Sequence, residues 1–357
     1  MAKAPKKTAA KKAKTTAKKA ASKAVKTTAA ATKAAVKKTA AKKATTQAKK
    51  AVAKTATPKK AGQKKAGQKK SAAKKDKKIT GYGGGGVDVV MSVDQVAKEA
   101  ASIAANAPTH KELLKLTKND PLLTIEALRA GYGKMEILHD FTLEVGRGQS
   151  LCLIGPNGAG KSTVLHSIFG FTNIFSGTIS IGGKDVTNLT PSQKLAEAGI
   201  AYILQDKSVF PQMTVEENLL MGGFLKNKPL EAKAAAEMVF DKYSRLAERR
   251  DKPAGVLSGG ERRLLEISRA LVMNPEVLLV DEPSIGLEPR FIDMVFEILS
   301  DLQHKDGKTI IMVEQNAKKG LSFADIGYVL VSGETAIADF GDDLLENPDV
   351  GRLFLGG

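Results

Sequence analysis

Two short stretches of this chain carry residue types whose spacing could perform phosphate chemistry. The run Gly155-Pro156-Asn157-Gly158-Ala159-Gly160-Lys161-Ser162-Thr163 follows the pattern G-x-x-x-x-G-K-[ST]. Its glycines let successive backbone N–H groups turn toward phosphate oxygens. Lys161 brings a positive charge to them, and the Ser162 hydroxyl is a ligand suited to Mg2+. Further on, the apolar run Val277 to Val280 delivers Asp281 and Glu282 just before Pro283. An Asp in that place can hold Mg2+ through water, and a Glu one residue later can polarise an attacking water. Taken singly, the first run could be a glycine-rich turn with a solvated lysine, and the second an acidic pair opening a helix. Their presence together, each after a strand-like apolar run, favours nucleotide hydrolysis.

A third stretch, Leu257-Ser258-Gly259-Gly260-Glu261, opens a strongly helical pattern from Arg262 to Met273. By itself it predicts a good helix start, with Ser258 capping the free amides of the first turn. The four histidines, His110, His139, His166 and His304, lack metal-ligand spacing and read as surface or packing residues. Cys152 lies inside an apolar run and reads as core rather than nucleophile.

The elements that must position these residues are legible as an alternation of β-rich and helical text. Leu122 to Ala127, Ser150 to Ile154, Val277 to Val280 and Thr309 to Val313 read as strands, the last three short and almost wholly apolar. Buried strands with Gly-rich or acidic C-terminal ends, separated by helices, predict an α/β sheet with its ligand site along that edge. Residues 92–118 predict one or two short amphipathic helices before Pro121, and Gly83 to Gly86 a flexible joint.

Charge divides the 357-residue chain sharply. The total is 56 Lys plus Arg against 38 Asp plus Glu, a net of +18. Residues 1–78 hold 28 Lys, no Arg and a single acid, Asp76, so the remainder carries 28 basic and 37 acidic residues and a net of −9. The basic segment repeats KKA and AKK, has no Leu and no aromatic, and predicts a solvated, disordered tail able to meet a polyanion such as DNA, RNA or anionic lipid. Met91 offers an alternative start that would omit it. No apolar run reaches the roughly 18 residues of a spanning helix, so the chain is not expected to form a membrane channel. The N-terminal segment lacks the apolar core of a secretory signal, and its lack of Arg disfavours a mitochondrial presequence. A single cysteine suits a reducing compartment.

The ordered set of motifs resembles the ATP-binding subunits of ABC transporters, over about Leu122 to Gly357. Within them it is similar to the shorter ATPase subunit of branched-chain amino-acid importers, through MTVEENLLMGGF at 213–224, DEPSIGLEP at 281–289, VEQNAKKGL at 313–321, ADIGYVLVSG at 324–333 and the terminal FLGG. The resemblance implies a P-loop NTPase fold of the ABC type, with a parallel-sheet core, an antiparallel β part and a helical subdomain. It implies three parts: a tail over 1–78, a linker over 79–121 and an ATP-binding domain over 122–357, with its helical insertion at about 206–270.

The resemblance also assigns roles. Tyr132 would stack on adenine, while Gly155, Asn157, Gly158, Gly160, Lys161, Ser162 and Thr163 would hold the phosphates of ATP. Ser162, Gln205 and Asp281 would serve Mg2+, with Glu282, Gln205 and Gln315 at the hydrolytic centre. Ser258, Gly259 and Gly260 would contact ATP held by a facing subunit, and the loop Ser284 to Glu288 would face that subunit. Implied partners are a second ATPase subunit, two transmembrane permease subunits and, indirectly, a periplasmic binding protein, at the cytoplasmic face of a bacterial inner membrane. Two residues depart from common patterns. Where most such ATPases have a switch histidine this chain has Gln315, as the resembled subfamily does, and Gln cannot carry a positive charge. The text Gln205-Asp206-Lys207 stands where the subfamily commonly shows Glu-Gly-Arg. Two rival readings are an exporter or lipid-extraction ATPase and a nucleic-acid-associated ATPase using the tail. The stretch between Gly160 and Gly255 lacks the sustained heptads of the chromosome-maintenance type.

Overall fold

The structure, a computed structural model, describes residues 108–355 apart from Asn119, Asp206 and Lys207. The tail over 1–78, the joint at Gly83 to Gly86 and most of the 92–118 segment lie outside the described residues. Of that last segment, helix α1 (His110–Leu116) is described, and it buries Leu113 and Leu116.

Two sheets share the first core. The smaller is antiparallel: β1 (Pro121–Tyr132), β2 (Met135–Gly146), β4 (Asn173–Ile181) and β5 (Lys184–Asp185), in the order β2-β1-β4-β5. β1 runs past the expected end at Ala127 because its alternation is broken there rather than stopped. Ala127 has φ 44°, and the register shifts between Ile125 and Leu128, a bulge that the apolar pattern alone reads as an end. β1 and β2 turn at Gly133, whose φ of 61° suits a residue without Cβ.

The larger sheet has the order β10-β9-β3-β8-β7-β6. Its strands are β3 (Ser150–Ile154), β6 (Ile200–Ile203), β7 (Val277–Asp281), β8 (Thr309–Val313), β9 (Ile326–Val331) and β10 (Glu334–Phe340). All neighbours pair in parallel except β9 with β10. β3, β7 and β8 are buried at every residue, as unbroken apolar runs demand when helices cover both faces. Register aligns Leu153 with Val313 and Val313 with Asp281, while Ile203 meets Val280. Four strand ends therefore finish in one row.

Helix α2 (Lys161–Phe169) follows β3, and α3 (Pro191–Ala196) precedes β6. Between β6 and β7 the chain builds a separate helical cluster from α4 (Val215–Gly222), α5 (Pro229–Lys242), α6 (Ser244–Ala247) and α7 (Gly259–Leu271). Its core includes Val215, Leu219, Phe240, Leu246, Leu264 and Leu265. The remaining α-helices among the described residues are α8 (Pro289–His304), α9 (Ala317–Phe323), α10 (Gly341–Glu346) and α11 (Pro348–Val350). α8 buries Val295, Leu299 and Leu302 with Leu278, Val280 and Met312 of the large sheet. This is the architecture expected of an ABC-type P-loop NTPase: a parallel core, an antiparallel β part and a helical part.

Candidate functional site

The site forms where parallel strands end. Because β3, β6, β7 and β8 run the same way, their C-terminal residues emerge along one edge: Gly155 after β3, Gln205 after β6, Asp281 and Glu282 at β7, and Gln315 after β8. Sequence separations of more than a hundred residues vanish through sheet order alone.

The loop after β3 needs its glycines. Gly155, Gly158 and Gly160 have φ of 143°, 85° and 100°, which L side chains rarely adopt. At Gly155 a Cβ would lie 2.2 Å from the Leu330 carbonyl oxygen, so the loop is seated against β9. It leads into the N-terminus of α2, where unpaired amides favour anions. Asn157 and Gly158 are exposed, Ser162 is half-buried, and Thr163 is buried. The Lys161 ammonium is folded back over the loop, donating to the carbonyls of Gly155 at 2.8 Å and Pro156 at 3.0 Å. Burial pushes its pKa down, while Glu282 and Asp281 oppose that shift. An arriving phosphate would add an anion beside this buried cation.

The acids are held from several elements. Asp281 is 6% exposed; Ser162 Oγ donates to its Oδ1 at 3.3 Å, and the Tyr202 hydroxyl donates to its Oδ2 at 2.8 Å. Glu282 does not open a helix, since the next one starts at Pro289. It has φ 42°, donates its backbone N–H to Val313 O and accepts from Gln205 Nε2 at 2.6 Å. Burial raises the Glu282 carboxyl pKa first, and the charges of Asp281 and Glu314 raise it further. A carboxylate raised in this way is a better proton acceptor than an ordinary one.

Other expected site residues are placed at varying distances from this centre. Tyr132 ends β1, is 43% exposed as a residue and has its hydroxyl 2.5 Å from His166 Nδ1. Gln315 is exposed on the loop after β8. Ser258 caps α7 by accepting from the Glu261 amide at 3.3 Å, while Glu261 accepts from the Ser258 amide at 2.9 Å. Ser258 and Gly259 are exposed, and a Cβ on Gly260 would lie 2.2 Å from the Phe291 ring. Among the described residues, no hydrogen bond joins these three to the Gly155–Thr163 loop. Ser258 instead lines a cavity of about 440 Å³ together with Glu261, Arg245, Arg290 and Phe291.

Sequence reasoning missed three residues that organise the site. Tyr202 holds Asp281. Glu314, 2% exposed, accepts from Ser284 Oγ at 2.7 Å and from the Asn316 amide at 2.9 Å, tying the loop after Glu282 to the loop of Gln315. Arg263 of α7 donates to Glu266 and to Leu204 O, both at 2.8 Å, and reaches Asp281 O at 3.4 Å. The available signals were faint: a Tyr inside a strand, an acid at a strand end, and an Arg on the apolar face of a helix. Cys152 is fully buried and burial pushes its thiol up, so it is core. His166 is a packing residue, edge-on to Tyr132, Phe171 and Tyr202.

A nucleotide-binding loop and paired acids on one sheet edge, with a capped glycine helix start set apart from them, define an ABC-type ATPase. The family model described as ABC transporter matches residues 138–285. The high-affinity branched-chain amino acid transport ATP-binding protein BraG of Pseudomonas aeruginosa is 42% identical over 236 residues, covering 66% of this chain and all of BraG. The lipopolysaccharide export system ATP-binding protein LptB of Haemophilus influenzae is 31% identical over 237 residues, covering 66% of this chain and 97% of LptB. Among solved structures, a nucleotide-free ATP-binding cassette from an ABC transporter superposes with a TM-score of 0.59 at 29% identity, covering 67% of this chain and all of that one. The chain belongs to the ABC transporter ATP-binding proteins and is an ATPase.

Proposed function

We propose that this chain powers an importer of branched-chain or other amino acids, as a peripheral ATPase at the cytoplasmic face of a bacterial inner membrane. It works as a dimer with a similar or identical subunit, beneath two membrane-spanning permease subunits that a periplasmic binding protein supplies. The observation that carries the reading is the single sheet edge on which Lys161, Ser162, Asp281, Glu282 and Gln205 converge. The 42% identity to BraG supports amino-acid import over the export role named for LptB, which remains the second reading. No helix among the described residues is long and apolar enough to cross a membrane.

The residues fit a Mg2+ ion. Ser162 hydroxyl and Asp281 carboxylate are hard oxygen donors within 3.3 Å of each other beside the phosphate loop. Bound there, Mg2+ would offset negative charge on the phosphate oxygens. The loop amides and Lys161 hold the phosphates of ATP, with Asn157 and Thr163 completing the loop, while Tyr132 offers its exposed ring to adenine. Glu282 takes the proton of the attacking water, and Gln205, already bonded to it, orients that water. Ser258, Gly259 and Gly260 reach the ATP of the facing subunit, since their own loop lies elsewhere. Closure on two ATP drives the permeases, and hydrolysis resets them. The basic tail binds a polyanion independently of ATP, a reading supported by its composition.

The test is Glu282→Gln in the assembled transporter. It keeps the metal side of the site and removes the proton acceptor, so ATP binding and dimerisation persist while turnover falls by about a hundredfold or more, at the level of general-base catalysis. Turnover like the wild type would overturn these roles. Uptake of radiolabelled leucine by the reconstituted complex separates import from export.

A further inference from the structure

Asp281 presents two oxygens to two different donors. Oδ1 faces Ser162, on the phosphate-loop helix, and Oδ2 accepts from the Tyr202 hydroxyl at 2.8 Å. Tyr202 lies on β6, where it pairs with Leu279, two residues before Asp281 on the same face of the neighbouring strand. Its ring is fixed from three sides: 5.5 Å from Phe169, 5.9 Å from Phe171 and 5.8 Å from His166, centroid to centroid. The phenol is half-buried, and its hydroxyl is the donor to Oδ2.

A carboxylate on a short Asp side chain can rotate about its terminal bond, which is a broad torsion. A donor locked on one oxygen removes that freedom and leaves the other oxygen aimed at Ser162. Partners of this kind, one step removed from a metal, orient the ligands that touch it and typically account for about 10- to 100-fold in metal affinity.

We propose that Tyr202 is a positioning residue for the metal half of the site, fixing the Asp281 carboxylate so that its other oxygen and Ser162 present one Mg2+-binding pair. The proposal rests on the roles assigned above to Asp281 and Ser162. Removing the hydroxyl while keeping the ring isolates the effect, because the aromatic cluster of Phe169, Phe171 and His166 continues to hold a phenyl ring in the same place.

The experiment measures ADP affinity of the full-length chain by fluorescence of a labelled ADP, once with EDTA and once with saturating Mn2+. The ratio of the two affinities is the gain due to the metal. Tyr202→Phe should lower that gain about tenfold, leave the EDTA affinity within about twofold, and leave the melting temperature near that of wild type. Tyr202→Leu should lose the gain and also melt earlier, having lost the ring. An unchanged gain in Tyr202→Phe overturns the positioning role. So does a loss of EDTA affinity equal to the loss with Mn2+, which would mark a general packing defect. Failure of the wild-type chain to bind ADP under either condition would instead overturn the nucleotide site itself.

Discussion

Replacing Glu266 by Ala strands a buried cation. The side chains of Arg263 and Glu266 are only 5% and 7% exposed and bond at 2.8 Å within α7. The same guanidinium donates to Leu204 O at the end of β6 and approaches Asp281 O at the end of β7. Breaking one half of a buried pair costs about 3–5 kcal/mol, since the remaining charge stays desolvated. Here two carbonyls still face Arg263, so the cost should fall near the lower figure, about 3 kcal/mol. For a domain of this size each kcal/mol moves the melting temperature by about 2–4 °C, which gives a fall of roughly 6–12 °C. Arg263→Met combined with Glu266→Leu should regain most of that stability, because apolar groups of similar volume need no partner. The double variant would still lack the link from α7 to the two strand ends, so its ATP turnover should stay low while its melting recovers. Calorimetry on the full chain, with turnover measured beside it, checks both. A Glu266→Ala protein melting within about 2 °C of wild type would refute the argument that this pair is desolvated and coupled.

Lys161→Ala should weaken ATP binding by about 10- to 100-fold, the worth of a charge-assisted contact of 1.5–3 kcal/mol, as isothermal titration would show. If the uncharged Gln315 leaves this chain's own site weak, Gln315→His should preserve or raise turnover in the assembled transporter, and Lys161→Ala should harm it less than the same change in a partner with a switch histidine. Equal losses from both lysine changes would argue for equivalent sites. The tail should bind duplex DNA without sequence preference, since Lys brings point charge without bidentate base contacts. If about ten phosphates are neutralised, log affinity should fall with log salt at a slope near −9. Deleting residues 1–78 should abolish that binding and spare hydrolysis, and full-length protein that ignores both DNA and anionic vesicles at low salt would leave the tail a solubilising segment.

The sequence alone determined the chemistry and the kind of sheet that carries it. Gly155, Gly158 and Gly160 announce a loop that only glycines can form, since the backbone angles found there exclude other residues. The runs Ser150 to Ile154, Val277 to Val280 and Thr309 to Val313 announce buried parallel strands, because strands covered on both faces are apolar along nearly their whole length. Ser258 and Glu261 announce a helix start, because their mutual cap is local and spans three residues. Each of these signals is written within one short stretch of chain. What the tertiary structure decided is which stretches meet. Strand order places β8 between β3 and β7 and brings Gln205 against Glu282, and no periodicity in the sequence encodes that order. Likewise Tyr202 reads as an ordinary strand tyrosine, Glu314 as an acid at a strand end and Arg263 as a misplaced charge on a helix face. Their roles depend on groups 18 to 79 residues away, as in Arg263 with Asp281, Ser284 with Glu314 and Tyr202 with Asp281. Hydrogen bonds across such separations are fixed by packing of the sheet and helices, and local propensity carries no trace of them.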